Sequence, residues 1–469
     1  MNTKTLIAFA VTLLAGCTTV GPNFQPPAAQ APASYRSASA ASAAQGQTLQ
    51  RDWWQMFGDA QLDQLEAQAL QASPTLGAAA ARIDRARAAL GLARADDGPR
   101  VDAGANVTEL RTSANSVTTP VLGGKAIAFD GTQTTLQIGA GWELDLWGRV
   151  KRETEAAKAQ LDAASLDAAA ARVALTADVA AAYWQWRALA DEAQVLGRLL
   201  ASRRSALQVV QTRFDAGAAT TQDLQRARAD VAAVEADQTD LPRRQALALH
   251  LIAALTGQAA ADLHLQATPL AAPPAVAAGL PAELLQRRPD LAQSLALLHA
   301  ATAQVGIAEG AFYPSLRLTG SFGFQSKELG ELIAAPSRLY NFGPSLTLPL
   351  LDAGRNKANL ATAQAQVQES LAAFRGRLLL ALREVDDALA ELQGRVAAQE
   401  AQQRALSASQ QALAVSRQRY EAGAVSYLDV AEAERVPLTS ERALVQLRGA
   451  QWGATAQLVK ALGGGWAQR

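Results

Sequence analysis

The chain has one cysteine, two methionines and three histidines in 469 residues. A single cysteine excludes a disulfide framework, and His250, His264 and His299 stand in no metal-ligand spacing. There is no nucleophile elbow and no phosphate loop, so a lipid-tethered hydrolase, or any other enzyme, finds no catalytic motif to rest on. Aromatic residues are 5% and charged residues 18%. Lys plus Arg number 43, as do Asp plus Glu, and the formal net charge is zero. Without a basic stripe to displace counterions, no nucleic-acid partner is expected. After the first twenty residues no apolar run approaches about 18, so no transmembrane helix is expected in the mature chain.

What is present is a hydrophobic fraction of 49%, much of it alanine, the best helix former and one that lets helices pack at close range. A chain this long implies two domains or one large repeated architecture. At the N-terminus Lys4 precedes an apolar stretch, Leu6 to Leu14, and then Leu14-Ala15-Gly16-Cys17. That is the layout of a secretory signal peptide. The cysteine after Leu-Ala-Gly resembles a bacterial lipobox, which implies removal of residues 1–16 and a covalent lipid on Cys17. An ordinary signal peptide is the plainer alternative. Thr18 stands where aspartate would mark inner-membrane retention.

The chain repeats itself. Pro74-Thr75-Leu76 answers Pro289-Asp290-Leu291, Gly91 answers Gly306, and Gly98-Pro99-Arg100-Val101 answers Tyr313-Pro314-Ser315-Leu316. Leu146-Trp147-Gly148-Arg149 answers Asp352-Ala353-Gly354-Arg355, and Arg213-Phe214-Asp215-Ala216-Gly217-Ala218 answers Arg419-Tyr420-Glu421-Ala422-Gly423-Ala424. Asp223 falls in register with Asp429. The division expected is a lipidated N-terminal segment and collar (17–73), a first repeat (74–257), a linker rich in proline (258–288), a second repeat (289–463) and a tail (464–469).

Each repeat reads as helix, strand hairpin, long helix, glycine turn, helix. Strict alternation marks strands near 101–112 and 132–146, and near 315–325 and 342–350. Helical patterns cover 74–97, 149–213 and 220–257, then 289–312, 355–419 and 426–462, with Pro437 expected to kink the last. A helix of about 65 residues is roughly 100 Å long. The two shorter helices of a repeat, placed end to end, would match it. Columns of that length need lateral neighbours.

Alternating stretches of about 10–12 residues suit tilted strands that cross a bilayer, where a sheet must close into a barrel. Four strands cannot close, so strands would be pooled between two or three chains. The bland alternative is a soluble four-stranded sheet beside a helical bundle.

Trp142-Glu143-Leu144-Asp145-Leu146-Trp147-Gly148-Arg149, Arg287-Arg288-Pro289-Asp290-Leu291, Phe312-Tyr313-Pro314-Ser315-Leu316 and Pro349-Leu350-Leu351-Asp352-Ala353-Gly354-Arg355 resemble segments of TolC-like outer-membrane efflux proteins. The lipoprotein branch that serves resistance-nodulation-division pumps is the nearest. The resemblance covers essentially the whole mature chain. It implies a mostly α-helical, internally duplicated protein with transmembrane β-strands. Its long antiparallel helices would form a tunnel in the periplasm, and four strands per chain would be pooled into a trimeric twelve-stranded β-barrel in the outer membrane. Implied partners are two further copies of the chain, a periplasmic adaptor (membrane fusion) protein, an inner-membrane transporter and outer-membrane lipid. No cofactor is implied beyond the lipid on Cys17.

The glycine turns at Gly217 and Gly423, with Arg213 and Arg419 before them, correspond to the family's adaptor-contact tips; a purely structural turn is the alternative. Asp429 and Glu432 share a helix face, with Arg435 one step on. In a trimer each would form a ring of three, able to attract cations or hold a tunnel shut. The resemblance assigns a periplasmic gate to Leu428, Glu432 and Arg435, and Asp429 matches the first acid of the family's other branch. Glu432 stands where aspartate is more usual. Asp223 and Arg226 hold the corresponding place in the first repeat and are candidates for bracing the gate. A solvated helix face is the alternative for the gate residues, and a coiled-coil envelope spacer without a pore is the rival for the whole chain.

Overall fold

The computed structural model describes residues 19–28, 31–37, 49–113, 121–122, 125–126 and 130–466; Cys17 lies outside them. Helices Ala60–Ala72 (α1) and Pro74–Ala95 (α2) lead into strands Arg100–Arg111 (β1) and Asp130–Leu144 (β2), then helices Arg149–Asp215 (α3) and Thr221–Leu255 (α4). The series recurs as Pro289–Gly310 (α5), Ser315–Ser326 (β3), Arg338–Thr347 (β4), Arg355–Glu421 (α6) and Tyr427–Ala461 (α7). Corresponding helices are equal in length: 22 residues for α2 and α5, 67 for α3 and α6, and 35 for α4 and α7.

The strand limits need one correction. The fourth strand covers Arg338–Thr347 rather than 342–350, because its ladder with β3 begins where Arg338 faces Phe324 and ends where Thr347 faces Ser315. Helix α7 runs without a break through Pro437, which is buried, and α4 likewise contains Pro242. Helix α5 is long and apolar enough by composition to cross a membrane, although half of its most apolar window is buried in protein.

The chain packs as two compact units, each drawing on both repeats. The first comprises residues 1–27, 83–163 and 294–373. Its sheet has the order β1-β2-β3-β4, antiparallel throughout. Registration sorts the side chains by face. Ala103, Ile138, Phe322 and Tyr340 form one cross-strand row, and Ala105, Leu136 and Phe324 lie in the next row on the same face. Asp102, Gly139, Ser321 and Asn341 form a row on the opposite face, beside Gly104, Gln137 and Gly323. The apolar face is bare in the single chain: Val107, Ile138, Phe322, Tyr340 and Phe342 are all exposed.

Residues 20–24 are clamped against α3 and α5 of the same unit. Val20 donates its backbone N–H to Trp147 O at 2.9 Å. Arg152, 3% exposed, donates to Val20 O, Gly21 O and Asn23 Oδ1. Phe24 stacks on His299 at 4.5 Å between ring centroids, and His299 Nε2 lies 2.9 Å from Glu155 Oε1.

The second unit comprises residues 28–82, 164–293 and 374–469. Trp53 and Trp54 are buried in its core with Tyr183, Trp184 and Trp452, and Trp184 stacks on Trp452 at 3.9 Å. The linker is tied to this core: buried Arg187 donates to Thr268 O and Asp59, Asp191 accepts from Leu270 N, and Trp452 Nε1 donates to Ala271 O. The ends of the shorter helices meet here. A Cβ on Gly257, after α4, would fall 2.4 Å from Ala72 O, and one on Gly463, after α7, would fall 1.8 Å from Arg287 O. Only glycine permits these approaches.

One group in this core runs against the rule that buried charges are partnered. Glu66 on α1 is fully buried and neither carboxylate oxygen has a hydrogen-bond partner. Burial raises its pKa to about 9; Arg172 opposes the shift and Asp63 adds to it. The folded protein therefore binds a proton that the unfolded chain releases, and stability falls as pH rises between the unfolded pKa, near 4.5, and the folded one. In Glu66→Gln this pH dependence should flatten by up to about 1.4 kcal/mol per pH unit across that window. Thermal unfolding in detergent between pH 5 and 8.5 measures it; parallel curves for parent and variant would show that Glu66 is ionised in the fold.

Candidate functional site

The two tips of the second unit are built from the same pair of devices. At the end of α3, Gly217 takes φ 72°, donating to Phe214 O at 2.9 Å, and Ala218 N donates to Arg213 O at 2.7 Å. At the end of α6, Gly423 takes φ 73°, with Gly423 N to Tyr420 O at 2.9 Å and Ala424 N to Arg419 O at 2.8 Å. This is the Schellman closure, which satisfies carbonyls that a helix end leaves orphaned. The chain then re-enters a helix through a capping box. Thr220 and Asp223 reciprocate at the start of α4, and Ser426 and Asp429 at the start of α7.

The second device gives each aspartate a local partner. Asp429 Oδ2 accepts from Ser426 N and Ser426 Oγ, both at 2.8 Å. Those bonds hold its carboxyl below the usual range, helped by Arg419 and Arg213. Asp223 is lowered for the same reason by Thr220. Each carboxylate thus has a local task in ending its turn. The sequence patterns Thr220-x-x-Asp223 and Ser426-x-x-Asp429 carry that signal.

Leu428, Glu432, Asp223 and Arg226 come together. They line one cleft of about 160 Å³ between the tip helices, with Arg203, Val210 and Asp230. Asp429 and Arg435 are not among the lining residues. Arg435 Nε donates to Glu432 Oε2 at 3.1 Å, and both side chains are about half exposed. A pair so exposed contributes little to stability. Residues without an assigned role in the sequence also join the tip. Ser205 Oγ and Tyr427 Oη lie 2.9 Å apart, Tyr427 packs edge-on against Tyr420, and Glu434 accepts from Ser202 and Arg417.

Residues 65–258 and 280–464 match the model of a family described as outer membrane efflux protein. The chain belongs to that family. It is 34% identical over 463 residues to outer membrane protein OprJ of Pseudomonas aeruginosa, covering 98% of this chain and 95% of OprJ. It is 30% identical over 482 residues to the cation efflux system protein CusC of Escherichia coli, over the whole of both chains. Among solved structures it superposes on the open state of the Neisseria gonorrhoeae MtrE outer membrane channel with a TM-score of 0.83 and 28% identity, covering 96% and 98% of the two chains. The outer-membrane efflux protein is thus a mostly helical chain with four antiparallel strands, as its sequence implied, and its place is the outer membrane.

In this family member the caps predict a local effect. Ser426→Ala should cost the first turn of α7 about 1 kcal/mol. Hydrogen exchange should then quicken about fivefold at the amides of residues 429–431. Unchanged exchange there would mean that the box does not hold the tip.

Proposed function

We propose that three copies of this efflux protein form an outer-membrane channel-tunnel. It is the passive exit duct through which small molecules leave after an inner-membrane transporter of the resistance-nodulation-division type delivers them through a periplasmic adaptor. The observation that carries this reading is the sheet: four strands with an apolar face, a polar face and two open edges. In lipid, open edges are not tolerated and every strand needs two neighbours. A coiled-coil spacer would have no use for an apolar sheet face. The reading includes no catalytic activity and no cofactor other than the lipid on Cys17, which holds the N-terminus at the membrane while the Arg152 clamp fixes the residues that follow.

The tips around Arg213, Gly217, Arg419 and Gly423 are proposed to meet the adaptor. Leu428, Glu432 and Arg435 are proposed as the periplasmic gate, with Arg226 and Asp223 behind them across the shared cleft. Each copy supplies one of each, so the gate is three leucines and three exchangeable Glu432–Arg435 pairs. Asp429 supports this gate through its cap.

Single-channel recording in planar bilayers tests the reading. The parent should conduct weakly, and both Glu432→Ala and Arg435→Glu should raise conductance. Parent and variants that never conduct would favour the spacer. A conducting parent with unaltered variants would leave the duct and remove the gate.

A further inference from the structure

Four arginines stand in strands β1 to β4, and three of them are ion-paired. Arg100 pairs with Asp102 at 3.0 Å, Arg111 with Asp130 at 3.5 Å and Arg317 with Glu143 at 3.6 Å. Arg338, the first residue of β4, is exposed. Among the described residues its guanidinium meets no carboxylate and donates no hydrogen bond. Its place in the sheet makes that unusual. Arg338 stands opposite Phe324, which stands opposite Leu136, so it lies in the row of Ala105, Leu136 and Phe324 on the apolar face. Tyr340, two residues on and on the same face, is 74% exposed.

The sheet has two unlike ends. At one end every strand joins a helix: β1 follows α2, β2 precedes α3, β3 follows α5 and β4 precedes α6. Arg338 is at the other end, where the hairpins turn. Its depth can be read from the ladder. The apolar face begins at the row Leu144–Leu316–Leu346 and continues to the row that Arg338 closes. From Leu346 to Arg338 is roughly 27 Å along the strand, and roughly 20 Å of depth at a barrel tilt of about 40°. The apolar band of an outer-membrane barrel is about 25 Å tall. Arg338 therefore sits at the boundary of that band. The rows beyond it are polar, with Thr134 opposite Ser326 and Glu109 opposite Thr132.

In the duct reading above, on which this inference rests, the helices stand in the periplasm and the hairpin ends reach the outer leaflet. We propose that Arg338 of each copy binds the phosphate of an anionic lipid in that leaflet. A cationic side chain at the edge of hydrocarbon reaches outward to the headgroups. The planar guanidinium fork matches two oxygens of one phosphate. Arg111, also at this end, is already matched by Asp130, and the acids of the adjoining loop, Glu328 and Glu331, leave Arg338 unpaired. That loop supplies the other half of the site. It is held by Glu328 N, which donates to Ser326 Oγ at 3.1 Å, and by Ser337 Oγ, which donates to Glu331 O at 2.7 Å. It presents Leu329 and Ile333 at 75% and 74% exposure. The boundary between headgroups and acyl chains accommodates such side chains better than water does. The occupant is thus a phosphate that carries hydrocarbon, rather than a free anion.

Native mass spectrometry of the full-length particle in detergent counts chains and bound lipid in one measurement. The probe is diphosphoryl lipid A, and its phosphate-free form is the comparison. Parent trimers should bind the probe, and Arg338→Gln should weaken binding about fivefold. Arg338→Lys should keep most of the affinity, and Ile333→Ser should lose part of it. Arg111→Gln, which removes an arginine that is already paired, should bind as the parent does. Equal binding by parent and Arg338→Gln trimers would overturn the site. So would equal binding of the phosphate-free lipid, or displacement of the probe by millimolar inorganic phosphate, which would mark a plain anion site. Those results would leave the trimer and the duct standing. Monomeric particles would overturn the duct, and this site with it.

Discussion

The rest of the structure depends on the two unpaired edges of a sheet whose outer face is apolar. A backbone N–H or C=O in hydrocarbon has no water to turn to and costs several kcal/mol if left alone. The rows Ala103–Ile138–Phe322–Tyr340 and Ala105–Leu136–Phe324 require such a surrounding, while the edges of β1 and β4 forbid it to a single chain. The conflict disappears when both edges are paired with strands of other copies. The helices share the need for neighbours: Leu92 on α2 and Leu379 and Val415 on α6 are exposed in the chain alone. Assembly is thus part of how this sequence folds.

Duplication is the economical route to that assembly. Two copies of a helix, hairpin, long helix and helix give each chain two equivalent tips and two equivalent hairpins, and the tips reuse the same closure and capping box. The differences between repeats are then informative. The first tip caps with Thr220 and the second with Ser426. The first strand-to-helix junction carries Trp147, which donates to Pro314 O and packs on Tyr313, where the second has Ala353. The internal seam is sealed by aromatic rings that the second junction lacks.

Much of this was legible in the sequence because periodicity reports burial and glycine reports turns. Alternation marked the strands, since the two faces of the sheet meet different solvents. Gly217 and Gly423 marked the ends of the long helices, since each takes a positive φ. The fourth strand was misplaced because its limits are set by its partner: Arg338 and Leu339 are strand only opposite Phe324 and Gly323. The capping boxes are legible as Thr220-x-x-Asp223 and Ser426-x-x-Asp429, whereas helix-face spacing alone does not show that Asp429 also bonds Ser426. The clamp of Arg152 on Val20, Gly21 and Asn23 was not legible, since it joins residues some 130 positions apart with no shared pattern. Nor was the buried state of Glu66, which looks like any polar position on an amphipathic helix until α1 is packed.

The most direct test of the account is the protein mass of the particle extracted from membranes, by light scattering corrected for bound detergent and lipid. The chain mass is 49.1 kDa. A folded particle of three chains is the result this account requires. A stable, folded monomer with its sheet intact would show that the edges of β1 and β4 need no partner, and the channel would have to be abandoned for the spacer.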